Sequence, residues 1–476
     1  MQRTKIVCTI GPVSQSKTMI EKLIRAGMDC TRLNFSHGSY QEHLKIIKNV
    51  RVAAKKTKRT VAIIQDLQGP KIRIGNLPER GILLKKNLGV SLQSDKEYLD
   101  KIIPINYQGF EKLLKSNDII LMDDGNIKLK VLNIKNKIIN CKIQSGGKLT
   151  SKKGVNLPTI KARVKSITDK DKADLRFGIK NNVDYVALSF VQSAQDIIEL
   201  RKLIGELEKE FEYDKNNIPS TKVIAKIEKP QAINNLDSII RLTDGIMIAR
   251  GDLGVELPIQ KIPVLQKTII KKCLSRAKPV IVATQMLESM IEKPIPTRAE
   301  VSDIANAVVD HADAVMLSGE SAMGKYPLEA VKVMSSVIEN IEDSLFDDLA
   351  PLEKESVPHG FAISFTAADL ARKVKAKGII ITTLSGITAQ TVARYRPEIP
   401  IIALVSHEKI KRQMNLSWGI KAFVVPNYNR IELLMKRSLD YIRSKKLFKK
   451  GDKVIFVSGH PTGRSGVTNL VKELDI

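Results

Sequence analysis

Aromatic residues make up only 4% of this 476-residue chain, and Trp418 is its single tryptophan. The core must therefore be built from Ile, Leu, Val and Ala, and no ladder of rings is available for nucleobases to stack on. Cysteine is equally sparse: Cys8, Cys30, Cys141 and Cys273 lie far apart, with no C-x-x-C pair or Cys/His ligand spacing. That excludes a disulfide framework or a zinc site and reads as reduced thiols in a cytoplasmic protein. Nowhere do about 18 apolar residues follow one another, so no membrane-spanning helix is expected. The apolar run in MQRTKIVCTIGP is too short for a secretory signal. Acids are outnumbered, 51 Asp and Glu against 78 Lys and Arg, for a net charge of +27. The basic residues are scattered through stretches such as VRVAAKKTKR and YIRSKKLFKK. They describe a lysine-rich solvated surface rather than a nucleic-acid binder.

What is present is a repeat. Short β-branched runs alternate with amphipathic stretches: KIVCTI (5–10), CTRLNF (30–35), VAIIQD (61–66), VDYVALSF (183–190), KVIAKIE (222–228), GIMIAR (245–250), PVIVAT (279–284) and DAVML (313–317). Apolar runs separated by helical segments such as SKTMIEKLIRAG are the pattern of buried parallel strands in βα units. Eight of them suggest a closed (β/α)8 TIM barrel, with a doubly wound open sheet as the alternative. The spacing breaks once. Between residues 69 and 158, DIILMDDGNIKLKVLNIKNKIINCKIQSGG alternates apolar with polar residues around Asp-Gly and Gly-Gly turns. This is the pattern of a small antiparallel β domain, placed to hang over the barrel mouth as a lid. After the acidic, proline-bearing SLFDDLAPLEKESVPHG, helices alternate with GIIITT, IIALV, AFVV and VIFVSG. The expected organisation is a discontinuous barrel over 1–68 and 159–343, a β lid over 69–158 and a C-terminal α/β domain over 344–476.

Polar residues collect after the runs. The second is followed by Arg32, Asn34, Ser36 and His37, and the third by Asp66, Lys71 and Arg73. The fifth yields Lys226 and Glu228, the sixth Arg250 and Asp252, the seventh Thr284, and the eighth Ser318 and Glu320. Barrel active sites form at the carboxyl ends of strands, and a ring mixing acids with bases exceeds what helix capping needs. Glu228 and Asp252 end adjacent strands and can share a hard divalent cation, magnesium or manganese. Arg32, Arg73 and Lys226 add more positive charge than one such site requires, which suggests a transferring phosphoryl group. GESAMGKY (319–326) approaches the phosphate-loop pattern, but Tyr326 replaces its small hydroxyl and Tyr-Pro interrupts the helix it needs. A magnesium-dependent aldolase or lyase acting on 2-keto acids would use the same two carboxylates but not Arg32, Arg73 or Lys153. A non-enzymatic basic binder would need no acids at strand ends.

Together, TRLNFSHG, QGPKIRIG, KKGVNLP, AKIEKP, IMIARGDLGVE, ATQMLESM, the stretch from PTRAEVSD to GESAMGKYP, and ARYRP resemble the pyruvate kinase family. The resemblance runs from TKIVCTIGP to SGHPTGRSGVTN, essentially the whole chain. It implies a TIM barrel carrying an inserted small β-barrel lid and a C-terminal α/β domain. It also implies a phosphotransferase that moves the phosphoryl group of phosphoenolpyruvate to ADP, giving pyruvate and ATP at the last step of glycolysis. On that resemblance Lys226 stabilises the moving phosphoryl group and the enolate, and Glu228 and Asp252 hold Mg2+ or Mn2+. Backbone amides of Gly251 and Asp252, with Thr284, take the substrate carboxylate. Arg32 binds the substrate phosphate and Arg73 the transferred group. Asn34, Phe35, Ser36, His37 and Lys153 face the nucleotide phosphates. A homotetramer is implied by the same analogy.

Two further expectations follow from that resemblance. Most members hold a monovalent cation near Asn34, Ser36, Asp66 and the carbonyl of Leu67, balanced by a glutamate where this chain has Lys71. With Leu67, Gln68 and Ile74 alongside, Lys71 matches the branch that does not require K+. In the C-terminal domain, TTLSGITAQTVARYRP presents Ser385, Gly386 and Thr388 at a helix start, a phosphate-sized site for a phosphorylated effector. Leu384 stands where many members that take a sugar bisphosphate carry lysine, so a smaller monophosphate is expected.

Overall fold

A computed structural model describes residues 2–94, 97–99, 102–158, 166–347, 359–428, 430–459 and 468–476. Part of the expected linker (348–358), residues 159–165 at the start of the second barrel segment and 460–467 of SGHPTGRSGVTN lie outside the described residues. In chain order β1 (Lys5–Thr9), helix α1 (Lys17–Ala26), β2 (Met28–Asn34), helix α2 (Tyr40–Thr57) and β3 (Ala62–Asp66) open the barrel. An insert follows, with β4 (Ile82–Leu84), β5 (Gly89–Ser94), β6 (Ile102–Ile105), β7 (Ile119–Met122), β8 (Ile127–Lys135), β9 (Ile138–Ser145), β10 (Gly147–Leu149) and β11 (Val155–Asn156). Helix α3 (Asp169–Lys180) returns to the barrel, completed by β12 (Tyr185–Leu188), β13 (Lys222–Ile227), β14 (Gly245–Ala249), β15 (Val280–Ala283) and β16 (Ala314–Leu317). The eight barrel strands close in the order β1-β16-β15-β14-β13-β12-β3-β2, so the open-sheet alternative is excluded.

Local sequence sets these elements. Ser39 and Glu42 form a capping box that starts α2, and Thr168 with Asp171 does the same for α3. The strands are buried on both faces, and period-two alternation divides their side chains. Ile6, Cys8, Ile63 and Val223 pack outward under the helices. Val7, Cys30, Ala62, Ile64, Tyr185, Ala187, Ile224, Met247 and Ala314 fill the interior. All four cysteines are free and buried. Among the described residues no helix is long and apolar enough to cross a membrane. Gly319–Ala322 forms a single short turn before Pro327 begins a new helix, so the long helix of a phosphate loop does not follow GESAMGKY directly.

The insert sorts into a six-stranded, mostly antiparallel sheet, β11-β7-β8-β9-β5-β6, and a β10-β4 pair. Its own core includes Leu92, Ile103, Phe110, Leu129 and Val131. It touches the barrel where Asn156 Nδ2 donates to Glu256 Oε1 at 2.9 Å. The C-terminal unit is a five-stranded sheet, β19 (Ile420–Val424), β18 (Ile401–Val405), β17 (Gly378–Thr382), β20 (Lys453–Ser458) and β21 (Leu470–Asp475). The last strand runs antiparallel on β20 and was not among the expected runs; LVKELD carries no apolar continuity to announce it.

This unit docks under the amino ends of the barrel strands. Asp184 and Asp313, each one residue before a strand, are the anchors. Asp184 takes Arg412 Nε at 2.7 Å and Arg51 at 3.0 Å. Asp313 takes Arg396 at 3.2 Å and the Trp418 amide at 3.0 Å. Between them Leu416 is fully buried with the barrel-interior side chains and plugs the floor. Leu416→Ala is expected to cost about 2–5 kcal/mol, the range for a leucine truncated in a closed core. Thermal unfolding checks it; an unchanged midpoint would place Leu416 outside the floor.

Candidate active site

The alternation that fills the barrel interior continues upward and puts charge into its mouth. Cys30 leads to Arg32 and Asn34, Ala62 and Ile64 to Asp66, Ile224 to Lys226 and Glu228, and Tyr185 and Ala187 to Ser189. Asp66, 1% exposed, is the hub. Its Oδ2 accepts from Arg32 Nε at 2.6 Å, and its Oδ1 lies 3.3 Å from Lys226 Nζ. Lys226 Nζ also reaches Glu228 Oε1 and Ser189 Oγ, each at 2.8 Å. The Phe190 amide donates to Glu228 Oε2 at 2.8 Å, and Thr9 Oγ1 accepts from Arg32 at 3.0 Å.

Burial alone would depress the Lys226 ammonium; Asp66 and Glu228 outweigh it and hold the pKa above its usual range. Burial likewise pushes Asp66 up, but Lys226 and Arg32 prevail and keep it low. For Glu228 burial dominates and raises the carboxyl against the pull of Lys226, and the negative charge of Asp252 pushes the same way. Two carboxylates that repel each other beside a charged lysine fit a divalent cation, and Glu228 with Asp252 could hold one. Among the described residues no group of three His, Cys, Asp or Glu side chains gathers as a metal cage. The remaining coordination would fall to water and substrate oxygens, as magnesium sites commonly arrange.

Beside the carboxylates, the helix Arg250–Glu256 begins directly after β14. The Gly251 amide donates to Thr284 Oγ1 at 2.8 Å, which itself donates to Ala283 O at 2.5 Å. Thr284 sits at φ 71° and Gln285 at φ 56°, left-handed backbone that a β-branched residue rarely tolerates. Arg250 clamps this turn through Thr284 O at 2.8 Å and Asp303 at 2.7 Å. Glu320, fully buried, accepts from the Leu287 and Ser318 amides at 3.0 and 2.7 Å. Arg250 and Glu320, suspected in the ring, are thus framework of the mouth.

The third group lies on the lid hinge. Residues 72–74 run antiparallel to 152–155: Ile74 N donates to Lys153 O at 2.9 Å, and Val155 N to Ile72 O at 3.0 Å. This ladder brings Lys71, Arg73 and Lys153 onto one ribbon. Arg73 donates to Lys152 O at 3.0 Å, and Lys153 pairs with Asp123 at 2.7 Å. Across from them, Asn34 Oδ1 accepts from the Ser36 amide at 3.1 Å, Phe35 is buried, and His37 is exposed. Desolvation and then the cations Arg73, Lys71 and Arg32 lower the His37 pKa, so these three charges converge on the Asn34–His37 loop. Ser385, Gly386 and Thr388 lie apart, in the C-terminal sheet domain. Ser189 was missed; its place two residues beyond Ala187 on an inward-facing row is the signal that could have found it.

Residues 1–331 match the family model for the pyruvate kinase barrel domain. The chain belongs to the pyruvate kinase family. Residues 361–472 match the pyruvate kinase alpha/beta domain as well. The pyruvate kinase of Geobacillus stearothermophilus is 42% identical over 99% of this chain and 80% of its own length. That of Agrobacterium vitis is 41% identical over 99% and 98%. A solved pyruvate kinase from Cryptosporidium parvum superimposes with a TM-score of 0.89 at 38% identity, covering 100% of this chain and 96% of that one.

The turn at Thr284 carries a stability prediction. Thr284→Gly and Thr284→Ala both lose the hydroxyl, but only glycine relieves the left-handed backbone. Glycine is expected to be the more stable of the two by about 1 kcal/mol. Urea midpoints compare them, and an alanine variant equal to or above glycine would show that the turn is not strained.

Proposed function

We propose that the strand-end cluster transfers the phosphoryl group of phosphoenolpyruvate to ADP, the reaction of this family, with Lys226 as the central charge. The observation that carries this is the geometry of Lys226, an inward-facing ammonium between Asp66, Glu228 and Ser189. An ADP β-phosphate oxygen attacks phosphorus, the bond to the enol oxygen breaks, and the enolate takes a proton on carbon to give pyruvate. Lys226 and Arg73 face the moving phosphoryl group, where fixed positive charge acts most strongly in a partly dry site. Arg32 binds the substrate phosphate, oriented by Asp66 and Thr9. Amides of Gly251 and Asp252 and the Thr284 hydroxyl take the carboxylate, Thr284 lying nearest the carbon that is protonated. Asn34, Phe35, Ser36, His37 and Lys153 face the nucleotide phosphates. Glu228 and Asp252 would hold Mg2+ or Mn2+, which when bound neutralises charge on phosphoryl and enolate oxygens. A cytoplasmic homotetramer, free of nucleic acid and membrane, is the form we assign; light scattering reads its mass against a subunit of 53.0 kDa.

Lys226→Met should retain the fold by circular dichroism while losing on the order of 10³-fold or more in turnover. Near-native turnover would remove Lys226 from the chemistry.

We further propose that K+ is not required. Three residues of the family's monovalent-cation set already meet protein donors: Asn34 Oδ1 the Ser36 amide, Asp66 Arg32 and Lys226, and Leu67 O the Ser189 hydroxyl at 2.7 Å. The Lys71 chain runs beside Gly154, and among the described residues its ammonium has no carboxylate partner. A tethered ammonium there supplies unit charge near the nucleotide loop without recruiting an ion. Full activity is expected in Na+- and K+-free buffer, with K+ dependence appearing in Lys71→Glu. Stimulation of the unaltered enzyme on the order of tenfold by K+ over an organic cation of similar size would overturn this.

In the C-terminal domain we propose that a phosphorylated metabolite, a monophosphate rather than a bisphosphate, binds at Ser385, Gly386 and Thr388. Gly386 sits at φ 87° with its amide on Thr383 Oγ1 at 3.0 Å, and Thr388 meets the Thr468 hydroxyl at 2.8 Å. Hydroxyls gathered on a tight turn suit a phosphate. Ser385→Glu should abolish activation by sugar phosphates or AMP; unchanged responses would exclude the loop.

A further inference from the structure

Helix α3, the first described element after the lid insert, carries a brace against the nucleotide side of the site that the reaction chemistry does not use. Lys170 Nζ donates to the Phe35 carbonyl at 2.7 Å and pairs with Asp174 Oδ2 at 2.6 Å. Asp174 is 1% exposed, and its other oxygen accepts from the Tyr40 hydroxyl at 2.8 Å. Phe177, one turn on, stacks on Tyr40 with ring centres 4.9 Å apart and meets Phe35 at 5.8 Å. Phe35 is also stacked on His43, whose Nε2 donates to the His37 carbonyl at 2.9 Å. Two carbonyls of the Asn34–His37 loop are therefore held from outside, Phe35 from α3 and His37 from α2.

The approach of α3 is itself specified. The Gln65 side chain donates to Asp174 O at 2.6 Å, and a Cβ on Gly178 would come within 1.9 Å of Gln65 Oε1. A larger residue there would displace the Gln65 amide and break its bond to the helix. Asp171 accepts from the Gly69 amide at 3.0 Å, so the same helix fixes the start of the lid hinge separately. A network of hydrogen bonds and stacked rings of this kind favours one loop geometry, and displacement of a binding group by about 1 Å is costly to a positioned reaction.

We propose that Lys170 and Asp174 are positioning residues for the nucleotide loop, setting affinity for ADP and not for phosphoenolpyruvate, which is held by Arg32, Gly251 and Thr284. This rests on the reading of Asn34–His37 as the nucleotide side. Lys170 is half exposed, so Lys170→Met removes the carbonyl contact with little cost to folding. Its KM for ADP is expected to rise on the order of fivefold or more, with KM for phosphoenolpyruvate within about twofold of the unaltered enzyme, as for a positioning contact. Asp174→Asn, which weakens the grip on both Lys170 and Tyr40, should shift the same constant in the same direction. Lys170→Arg should restore most of the loss.

Steady-state kinetics with each substrate varied at saturating partner, beside ADP titrations followed by calorimetry, separates the outcomes. An unchanged KM for ADP in both variants, or equal rises in both KM values, overturns the brace. If Lys170→Met weakens phosphoenolpyruvate alone, the assignment of Asn34–His37 to the nucleotide falls with it. Failure of the unaltered chain to form pyruvate from the two substrates instead sinks the function on which the inference rests.

Discussion

A lysine ammonium and two carboxylates buried together at the mouth of a barrel tolerate little error. Removing each ion from water costs several kcal/mol, and only well-made partners return it. Here Asp66 is shared by Arg32 from β2 and Lys226 from β13, while Ser189 beyond β12 bonds Lys226 and Leu67. The cluster therefore ties together the ends of four neighbouring strands. A slip of one residue in any of them would turn a charged side chain toward the outer helices. The same arrangement keeps Lys226 protonated, the form in which it can meet a phosphoryl group.

Much of the barrel was legible because each strand is a short, uninterrupted apolar run. Seven of the eight observed strands fall inside the expected segments, and β2 begins two residues earlier, at Met28. The mouth was legible for a related reason: a charged residue at the end of such a run has nowhere to go but the site or a cap. What the runs could not reveal is which of those residues turn back into the framework. Arg250 and Glu320 resemble Arg32 and Glu228 in sequence, yet their partners, Asp303 on the helix Arg298–Val309 and the Leu287 amide, come from other parts of the chain. Ser189 was hidden for the opposite reason, as a small hydroxyl that draws no attention outside its row. The edge strand β21 was missed because Lys472, Glu473 and Asp475 break the apolar continuity used to find the others.

The C-terminal domain shares one short helix, Glu408–Met414, with the barrel floor. Met414 fills the space where a Gly386 side chain would stand. Its neighbour Gln413 accepts from the Tyr185 hydroxyl at the foot of β12, at 2.5 Å. Lys409 on the same helix is fully buried, donating to Thr221 Oγ1 at 2.9 Å and lying over the Tyr213 ring. Burial lowers its pKa to about 8. Among the described residues no carboxylate contacts it directly; a desolvated cation of this kind is an expensive feature to keep at a docking surface, and it fixes how that helix meets the barrel.

Phosphorus is the atom on which the account depends, and its fate can be followed directly. Purified protein would be mixed with phosphoenolpyruvate, ADP and Mg2+ in K+-free buffer and monitored by phosphorus NMR. The phosphoenolpyruvate signal is expected to decay with an equal gain of ATP γ-phosphate. Loss of phosphoenolpyruvate to inorganic phosphate, or no loss at all under these conditions, would contradict it.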